Sequence, residues 1–338
     1  MSRVTLKDIA NKTGVSATLV SKVLRNEVGS YVSKEKASEI REAAIELRYL
    51  VNRQARQLKT GRSMTIAVFI SSGDDLELTV HPILIEAMAS VSSSPECHYD
   101  FMYSIAYKDQ KEYECLKEML SINPDGIIYA APTKMTGLAA DKNKLHLLES
   151  AVANGTRVLF LMEKYDIDNS CYFKFDDFNG GYEGTKYLIQ KGRKKIILCQ
   201  SSFPERMLGY KKAMNEAGLD CENLITDVLT FKLDSSYNYF MDFFSKTPKE
   251  HLPDAIFCAG DIGALGVLNA MDKHNISQEQ IEIMGYDGLN LIELTARRFP
   301  TVVQPFMQIG RECSLAMVEW INSGTIPENR LYQPVIRP

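Results

Sequence analysis

The sequence predicts two parts of different fold class: a small all-α head at the N-terminus and a larger α/β body with two parallel sheets. Residues 1–62 are basic, and their apolar residues recur at helical spacing. Residues 63–338 are acidic, and strand-like segments alternate there with helix-like segments. The chain of 338 residues is long enough for several domains, since domains usually span ~100–200 residues. Its 45% hydrophobic and 24% charged residues are ordinary for a globular protein.

The charge of the chain is divided unevenly. Residues 1–62 contain 13 Lys and Arg against six Asp and Glu, a net charge of +7, although the whole chain carries −4. Residues 63–338 therefore carry −11. Clustered cations suit a polyanion partner, because phosphate contacts dominate nucleic-acid affinity. A merely solvated pair of basic helices would have the same charge, so charge alone leaves both interpretations open.

The head is predicted to contain three short helices. Ser16 can cap the second helix, because its hydroxyl accepts from the unpaired N–H groups of the first turn, and Ser33 can cap the third. Gly14 ends the first helix in the left-handed conformation that glycine tolerates. The apolar positions at helical spacing are Leu6, Ile9 and Ala10, then Val20, Val23 and Leu24, then Ile40, Ala44 and Leu47. A tight glycine turn between the first two of three helices is typical of a helix-turn-helix.

Two runs in and after the head carry a family resemblance. The run 4-VTLKDIANKTGVSATLVSKVL-24 and the run 45-IELRYLVNRQARQLKTGRS-63 resemble the head of LacI/GalR-type transcription regulators, and the match continues to the C-terminus. The resemblance implies a helix-turn-helix DNA-binding domain at residues 1–50, a hinge helix and linker at 51–63, and a bilobal effector-binding and dimerisation domain at 64–338.

The resemblance also implies which residues contact double-stranded operator DNA. Residues 16–24 would be the recognition helix in the major groove, where Lys22 can donate to guanine and Thr18 can bond a base or pack on a thymine methyl. A phosphate contact without sequence content is the alternative for Lys22. The family more often has Arg and Thr where this chain has Lys22 and Leu19, which changes the expected operator preference. The implied DNA contacts are Thr5, Ser16, Ala17, Thr18, Ser21, Lys22, Asn26, Asn52, Ala55, Arg56 and Leu58.

The segment 52-NRQARQLKTGRS-63 is too short to form a stable helix alone, because isolated helices below ~12 residues are marginal in water. In the family this segment is a hinge helix that orders on DNA, and the residue matching Leu58 wedges between base pairs in the minor groove. Val51 stands where the family usually has proline. A plain flexible linker, whose leucine packs on the body, is the alternative.

The body is predicted to be α/β, because strand-like runs alternate with longer amphipathic segments. The strand-like runs are 65–70, 99–105, 125–131, 157–162, 194–199, 254–260 and 281–287. The helical segments include 110–121, 181–191, 206–217 and 262–274. The resemblance implies a periplasmic-binding-protein-like, bilobal body with two parallel sheets of about six strands each. Its N-lobe would span about 64–162 and 301–326, and its C-lobe about 163–300 and 327–338.

Ligands of open α/β sheets bind beyond the carboxyl ends of the strands, which places the expected effector site there. By resemblance, Arg206 contacts ligand carboxylates or hydroxyls, and Asp287 accepts from ligand hydroxyls or amines. The full set of implied effector contacts is Ser71, His81, Arg206, Phe231, Asp261 and Asp287. An aromatic face beside carboxylates suits a carbohydrate or a related small metabolite. The alternatives are a buried interlobe ion pair for Arg206, and helix capping and interlobe hydrogen bonding for Asp176 and Asp177.

Motifs of catalysis and cofactor binding are absent from the sequence. It has no Gly-rich nucleotide loop, nucleophile elbow or HExxH motif, its five histidines have no metal spacing, and its seven cysteines contain no CxxC pair. We therefore expect no catalytic residue, metal or cofactor. No apolar run approaches the ~18 residues of a membrane span, and no signal peptide precedes the head, so a cytoplasmic protein without membrane contact is expected.

These features together predict a ligand-responsive, sequence-specific DNA-binding transcription regulator that acts as a repressor. A homodimer is expected, because two-fold symmetry matches a palindromic operator and because no heptad tail for a tetramer follows the body. The alternative function is a carbohydrate-processing enzyme or kinase with a DNA-binding accessory head. A solute-binding protein would explain the body but not the basic head.

Overall fold

The computed structural model describes residues 4–24, 32–49, 61–71, 81–95, 97–106, 109–130, 142–199, 204–226, 232–295 and 297–338. The chain divides into two compact units, Met1–Arg62 and Ser63–Pro338, which we call the head and the body. Within the described ranges, no helix has the length and apolar character needed to cross a membrane.

The head contains three helices that pack around one small core. The helices are α1 (Leu6–Thr13), α2 (Ala17–Leu24) and α3 (Lys34–Glu46). The buried apolar side chains are Ile9, Ala10, Val20, Val23, Ala37, Ile40, Ala43 and Ala44. The inward positions predicted from helical spacing therefore form the core, with Leu6, Leu24 and Leu47 packed against it while partly buried.

The ends of these helices are fixed by the predicted caps. Gly14 is left-handed with φ 66°. The Oγ of Ser16 accepts from the Leu19 N–H at 3.1 Å, and that of Ser33 accepts from the Lys36 N–H at 3.2 Å. The Lys36 ammonium also donates to the carbonyl of Thr13 at 2.7 Å, which satisfies an unpaired acceptor at the C-terminus of α1. These bonds fix the N-termini of α2 and α3 and join α3 to the C-terminus of α1.

The body alternates strands and helices as the sequence predicts. Its strands are β1 (Thr65–Ser71), β2 (Asp100–Ala106), β3 (Gly126–Ala130), β4 (Arg157–Leu161), β5 (Ser170–Phe175), β6 (Ile196–Cys199), β7 (Ile225–Thr226), β8 (Ala255–Phe257), β9 (Glu282–Asp287), β10 (Thr301–Val303), β11 (Arg330–Tyr332) and β12 (Val335–Arg337). Its α-helices are α4 (His81–Ser92), α5 (Asp109–Ser121), α6 (Lys142–Ala153), α7 (Asp177–Gln190), α8 (Pro204–Glu216), α9 (Leu233–Lys246), α10 (Asp261–Lys273) and α11 (Phe306–Ser323).

Two six-stranded sheets organise the body. Their strand orders are β11-β5-β4-β3-β1-β2 and β12-β10-β9-β8-β6-β7. Neighbouring strands are parallel except for the antiparallel pair β10 and β12. The predicted pair of parallel sheets with about six strands each is confirmed, with this one antiparallel edge strand added.

The chain passes between the sheets later than the predicted lobe boundaries. The predicted crossovers lie near residues 163, 300 and 326, but β5 and β11 belong to the first sheet and β10 to the second. The crossovers therefore follow β5, β10 and β11. The sequence did not predict these strands. In β5 buried and half-exposed side chains alternate, and β10 and β11 are only three residues long. Such strands lack the continuous apolar run of a fully buried parallel strand.

Both faces of each sheet are covered by helices. Ile66, Val68 and Ile70 of β1 face a core shared with α4 and α11, whereas Ala67 and Phe69 face α5 and α6. In the second sheet, α9 and α10 cover one face and α7 and α8 the other. This two-sided burial explains the continuous apolar runs of the central strands.

Candidate DNA-contact face and effector site

The implied DNA contacts of α2 lie on one face of that helix. Ala17, Thr18, Ser21 and Lys22 fall within about 140° of the helical wheel at ~100° per residue. Thr18 is exposed and the other three are half-buried, whereas Val20 and Val23 on the opposite side are fully buried. The packing of the head therefore turns the small polar side chains of α2 outward.

This outward face suits the major groove of B-DNA. The groove is ~12 Å wide and accepts a single α-helix whose side chains reach base edges. Lys22 is the only ionisable side chain in the α2 sequence ATLVSKVL, so the rest of the face offers hydroxyl and methyl groups. Such groups can discriminate bases, whereas the cations elsewhere in the head supply attraction to phosphates.

Thr5 and Ser16 are both exposed, and each lies next to a helix N-terminus. The N–H and Oγ of Thr5 donate to the Asp8 carboxylate at 2.7 and 2.8 Å, and the backbone bond lowers the pKa of Asp8. The remaining implied DNA contacts, in the hinge and the turn after α2, lie outside the described residues. They are Asn26, Asn52, Ala55, Arg56 and Leu58.

In the body, glycines allow α7 and α8 to cross in contact. A Cβ on Gly181 would lie 2.0 Å from the carbonyl oxygen of Arg206, and one on Gly209 would lie 2.0 Å from that of Phe178. A Cβ on Gly180 would lie 2.0 Å from the hydroxyl of Tyr286. Side chains at these positions would therefore separate the two helices or expel the tyrosine. The run 176-DDFNGGY-182 thereby allows the close crossing of α7 and α8.

This close crossing buries an ion pair. The Nε of Arg206 donates to Oδ1 of Asp177 at 2.7 Å, and Nη1 donates to the carbonyl of Ala259 at 2.9 Å. Tyr286 donates to the same Oδ1 at 3.1 Å, and its ring centroid lies 3.6 Å from the guanidinium carbon. Arg206 and Asp177 are only 5% and 3% exposed. We call Asp177, Arg206, Tyr286 and Asp287 the arginine cluster.

Arg206 and Asp177 belong to the same lobe, because α7 and α8 both cover the second sheet. The interlobe ion pair considered as an alternative for Arg206 is thus an ion pair within one lobe. The expected capping role of Asp176 is confirmed. Its Oδ1 accepts from the Asn179 N–H at 3.0 Å at the start of α7, and its Oδ2 accepts from Gln333 at 3.1 Å in the crossover after β11.

Burial and neighbouring charges shift the pKa values of Arg206 and Asp287 in the arginine cluster. Burial disfavours the charge on Arg206, but Asp177 and neighbouring groups outweigh it, so the pKa of the guanidinium is raised. Burial raises the pKa of Asp287 well above its ordinary value, and Arg206 opposes that rise only in part. Asp287 also has a φ of 105°, which is rare for a residue other than glycine. Backbone strain at an acidic residue that ends a strand is typical of a functional site.

Asp261, one of the expected effector contacts, has a buried carboxyl. It is fully buried at the start of α10. Its Oδ2 accepts from the Leu289 N–H at 2.6 Å, and its Oδ1 accepts from the Thr301 hydroxyl at 2.6 Å. Asp261 therefore joins three segments of the C-lobe. The sequence carried no signal for these bonds, because a strand-end carboxylate has the same pattern whether it faces inward or outward.

The buried carboxyl of Asp261 gives stability a pH dependence. Burial raises its pKa from 3.8 to about 6, so its contribution is fully present below pH 3.8 and is lost as the pH rises through about 6. Asp261→Asn does not ionise. We compare the free energies of unfolding of the wild type and of this variant. The difference, wild type minus variant, should fall by about 2–3 kcal/mol as the pH rises from 3.8 to about 6. Urea unfolding at several pH values measures the difference, and a pH-independent difference would contradict the assignment.

The other implied effector contacts are placed only in part. Ser71 is the last residue of β1 and His81 the first of α4, so both lie at the carboxyl edge of the first sheet. Their side chains, and all of Phe231, lie outside what the structure describes. Among the described residues, no group of three or more His, Cys, Asp or Glu could hold a metal ion. Sequence reasoning missed Tyr286 and the carbonyl of Ala259, for which the sequence carries no signal.

Comparisons with known proteins agree with this architecture. Residues 5–52 match the family described as bacterial regulatory proteins, lacI family, and residues 185–338 match a periplasmic binding protein-like domain. The HTH-type transcriptional regulator RegA of Clostridium saccharobutylicum is 27% identical over 334 residues, which cover 96% of this chain and 94% of RegA.

Solved structures show the same fold. The lac repressor dimer bound to operator and the anti-inducer ONPF has a TM-score of 0.79 and 21% identity, covering 100% of this chain and 98% of the repressor. The complex of the transcriptional regulator CelR with cellobiose has a TM-score of 0.68 and 22% identity, covering 99% of each chain. With its helix-turn-helix head, its two-sheet body and these relatives, the chain belongs to the LacI family of bacterial regulatory proteins.

Proposed function

We propose that this protein is a ligand-responsive, sequence-specific DNA-binding transcription repressor. The observation that carries the proposal is the outward face of α2, with Ala17, Thr18, Ser21 and Lys22 on a complete three-helix head. A basic head of this kind binds DNA phosphates, and the small side chains on the outward face of α2 discriminate between bases. The lac repressor supports the proposal, since its structure contains operator DNA.

The effector is proposed to bind at the carboxyl ends of the body strands, beside the arginine cluster. Arg206 and Asp287 supply its polar contacts, and Ser71, His81 and Phe231 are proposed to complete the site. A sugar or related small metabolite fits a site with carboxyl and tyrosine groups. The CelR complex, which contains cellobiose, supports this class. Binding there changes operator affinity, and a coupling of ~1–3 kcal/mol would change it ~5–150-fold.

A homodimer is proposed as the functional form. The solved lac repressor is also a dimer. Two heads would then contact two half-sites of a palindromic operator. The hinge at residues 51–63, with Leu58 as a minor-groove wedge, remains part of this proposal.

The DNA-binding proposal is tested by Thr18→Ala. We expect its affinity for operator DNA to fall ~10–100-fold, because one base contact is worth ~1–3 kcal/mol. Its affinity for random DNA should not change, since threonine carries no charge that contributes to phosphate attraction. Fluorescence anisotropy on both DNAs, with an operator selected from genomic fragments by the wild type, measures the two affinities.

Ser38→Ala is the matched control, because Ser38 is an exposed hydroxyl on α3 that donates to Glu42 at 2.9 Å. It should bind both DNAs like the wild type. Equal losses by the two variants would contradict the assignment of α2.

The competing function is an enzyme with a DNA-binding accessory head, which predicts turnover of sugars or ATP. We propose instead a protein without catalytic activity that acts on cytoplasmic DNA.

A further inference from the structure

We propose that Asp125 is a positioning residue for regulation: it fixes the direction in which the chain from the head enters the first sheet of the body. The inference rests on the proposed function, since it concerns how the body controls operator binding by the head. It goes further by assigning that control to one carboxylate at the amino end of β3, the edge of the sheet opposite to the strands' carboxyl ends.

The carboxylate of Asp125 binds the last two residues before β1. Its Oδ1 accepts from the N–H of Ser63 at 3.0 Å, and its Oδ2 accepts from the N–H of Met64 at 2.9 Å. The contact is reciprocal, because the Oγ of Ser63 accepts from the N–H of Asp125 at 3.1 Å. Asp125 and Ser63 are only 8% and 7% exposed. We call Ser63, Met64 and Asp125 the entry clamp.

The entry clamp is joined to the strands on both sides of it. The carbonyl of Met64 accepts from the N–H of Asp100, the first residue of β2, at 2.9 Å. The carbonyl of Asp125 accepts from the N–H of Arg157, the first residue of β4, at 3.2 Å. Buried bonds to a carboxylate are strong, and a group left unpaired there is costly. The residues at which the chain enters the body therefore move together with β1, β2, β3 and β4.

The backbone of Met64 is strained in this arrangement. Its φ is 54°, which is uncommon for a residue with a large side chain. Such a conformation persists only where the surroundings hold it. Without the bond to Asp125, Met64 would relax to a negative φ, a rotation of roughly 110° or more about its N–Cα bond. Because the head precedes this bond in the chain, the rotation would redirect the segment that carries the head.

The second sheet contains a similar clamp that carries no head. The runs 124-PDGIIYA-130 and 253-PDAIFCA-259 lead into β3 and β8 with the same Pro-Asp pair. Oδ2 of Asp254 accepts from the N–H groups of Lys194 and Lys195, just before β6, at 2.9 and 2.8 Å. The segment before Lys194 is α7, so Asp254 holds a connection within the body. Asp254 is therefore a control of matched chemistry for Asp125.

The entry clamp should matter more for operator DNA than for random DNA. In the proposed dimer, two heads must match two half-sites at a set spacing. A less constrained entry would lower the effective concentration of the second head at its half-site. Binding to random DNA has no spacing to match and depends mainly on the charge of the head. A general loss of folded protein would instead weaken binding to both DNAs equally.

The test compares Asp125→Asn with Asp254→Asn in the full chain. Both variants change the net charge by the same amount, so a general electrostatic effect on DNA binding is shared. Fluorescence anisotropy measures affinity for random DNA and for an operator selected from genomic fragments by the wild type. We expect Asp125→Asn to bind the operator ~5-fold or more weakly, the lower end of ordinary coupling between sites. Its affinity for random DNA should not change, and Asp254→Asn should bind both DNAs like the wild type.

Hydrogen exchange measured by mass spectrometry shows whether each clamp has opened. Amides of residues 63–66 should exchange faster in Asp125→Asn, and amides of residues 194–197 in Asp254→Asn, while the other strands stay protected. Ser63→Ala is the second variant, used if Asp125→Asn does not fold. It keeps the carboxylate and removes the Oγ that accepts from Asp125, so it should show a smaller loss of operator affinity with random DNA unaffected.

Equal losses on operator and random DNA would show that Asp125 only stabilises the body, and would overturn the inference. An unchanged operator affinity in a variant whose amides at 63–66 exchange faster would overturn it as well, as would an equal operator loss in Asp254→Asn. A wild type that binds selected and random DNA alike would instead contradict the proposed function itself. The two failures are therefore distinguished by the behaviour of the wild type.

Discussion

Arg206→Met should lower the free energy of unfolding of the body by ~3–5 kcal/mol, because it leaves Asp177 buried without a counter-charge. The double variant Asp177→Asn/Arg206→Met removes both charges, and its amide oxygen can still accept from Tyr286, which now donates to Asp177 at 3.1 Å. We expect the double variant to recover most of the lost stability. Urea unfolding of the wild type, both single variants and the double variant gives the coupling energy.

The same four proteins separate a structural role of Arg206 from an effector-binding role. If Arg206 contacts the effector, the stable double variant should bind operator DNA like the wild type but fail to respond to effector. If Arg206 only pairs with Asp177, the double variant should be both stable and responsive. A responsive double variant would therefore remove Arg206 from the proposed effector contacts, while the DNA-binding proposal would stand.

Gly181→Ala should destabilise the body by ~3 kcal/mol or more and abolish the effector response. The added Cβ would lie 2.0 Å from the carbonyl oxygen of Arg206 and 2.9 Å from its Cα. Backbone atoms cannot rotate away as a flexible side chain can, so α7 and α8 must separate and Arg206 must leave Asp177. Overpacking of this kind usually costs ~1–3 kcal/mol before any ion pair is broken.

Gly218→Ala is the control for this variant. Gly218 follows α8 with φ 68° and has no atom within 4 Å of an added Cβ, so only backbone strain of ~1–2 kcal/mol is expected. Thermal unfolding and effector titration of both variants measure the two effects. If Gly181→Ala were no more destabilised than Gly218→Ala and still responded to effector, the close helix crossing would not be what positions Arg206.

Local signals predicted the head well. Helical spacing identified its inward side chains. The caps were also predictable, because the bonds of Ser16, Ser33 and Gly14 go to residues within four positions. Because a helix turns by a constant angle, the polar face of α2 follows once its apolar face is known. The outward face of α2 was therefore predictable from the sequence, whereas the hinge residues expected to contact DNA lie outside the described residues.

The sequence predicted the fold class of the body but not the boundaries of its lobes and edge strands. Continuous apolar runs marked the central strands, since these are buried on both faces. The edge strands β11 and β12 are short and half-exposed, so nothing in their sequence distinguishes them from loops. The buried ion pair of Lys144 with Glu112 was also missed. Those two residues are 32 positions apart, and only the packing of α6 on α5 brings them together.

The sequence by itself determined the helix-turn-helix head, the alternation of strands and helices in the body, and the opposite charges of the two. Each of these depends on residue type and on spacing over a few positions. Only the tertiary structure decided that Arg206 pairs with Asp177, that Asp261 is a buried structural carboxyl, and that Asp287 stands at a strained strand end. The physical reason is that the charge state of a buried side chain depends on neighbours from distant segments, and those neighbours are set by how the helices pack.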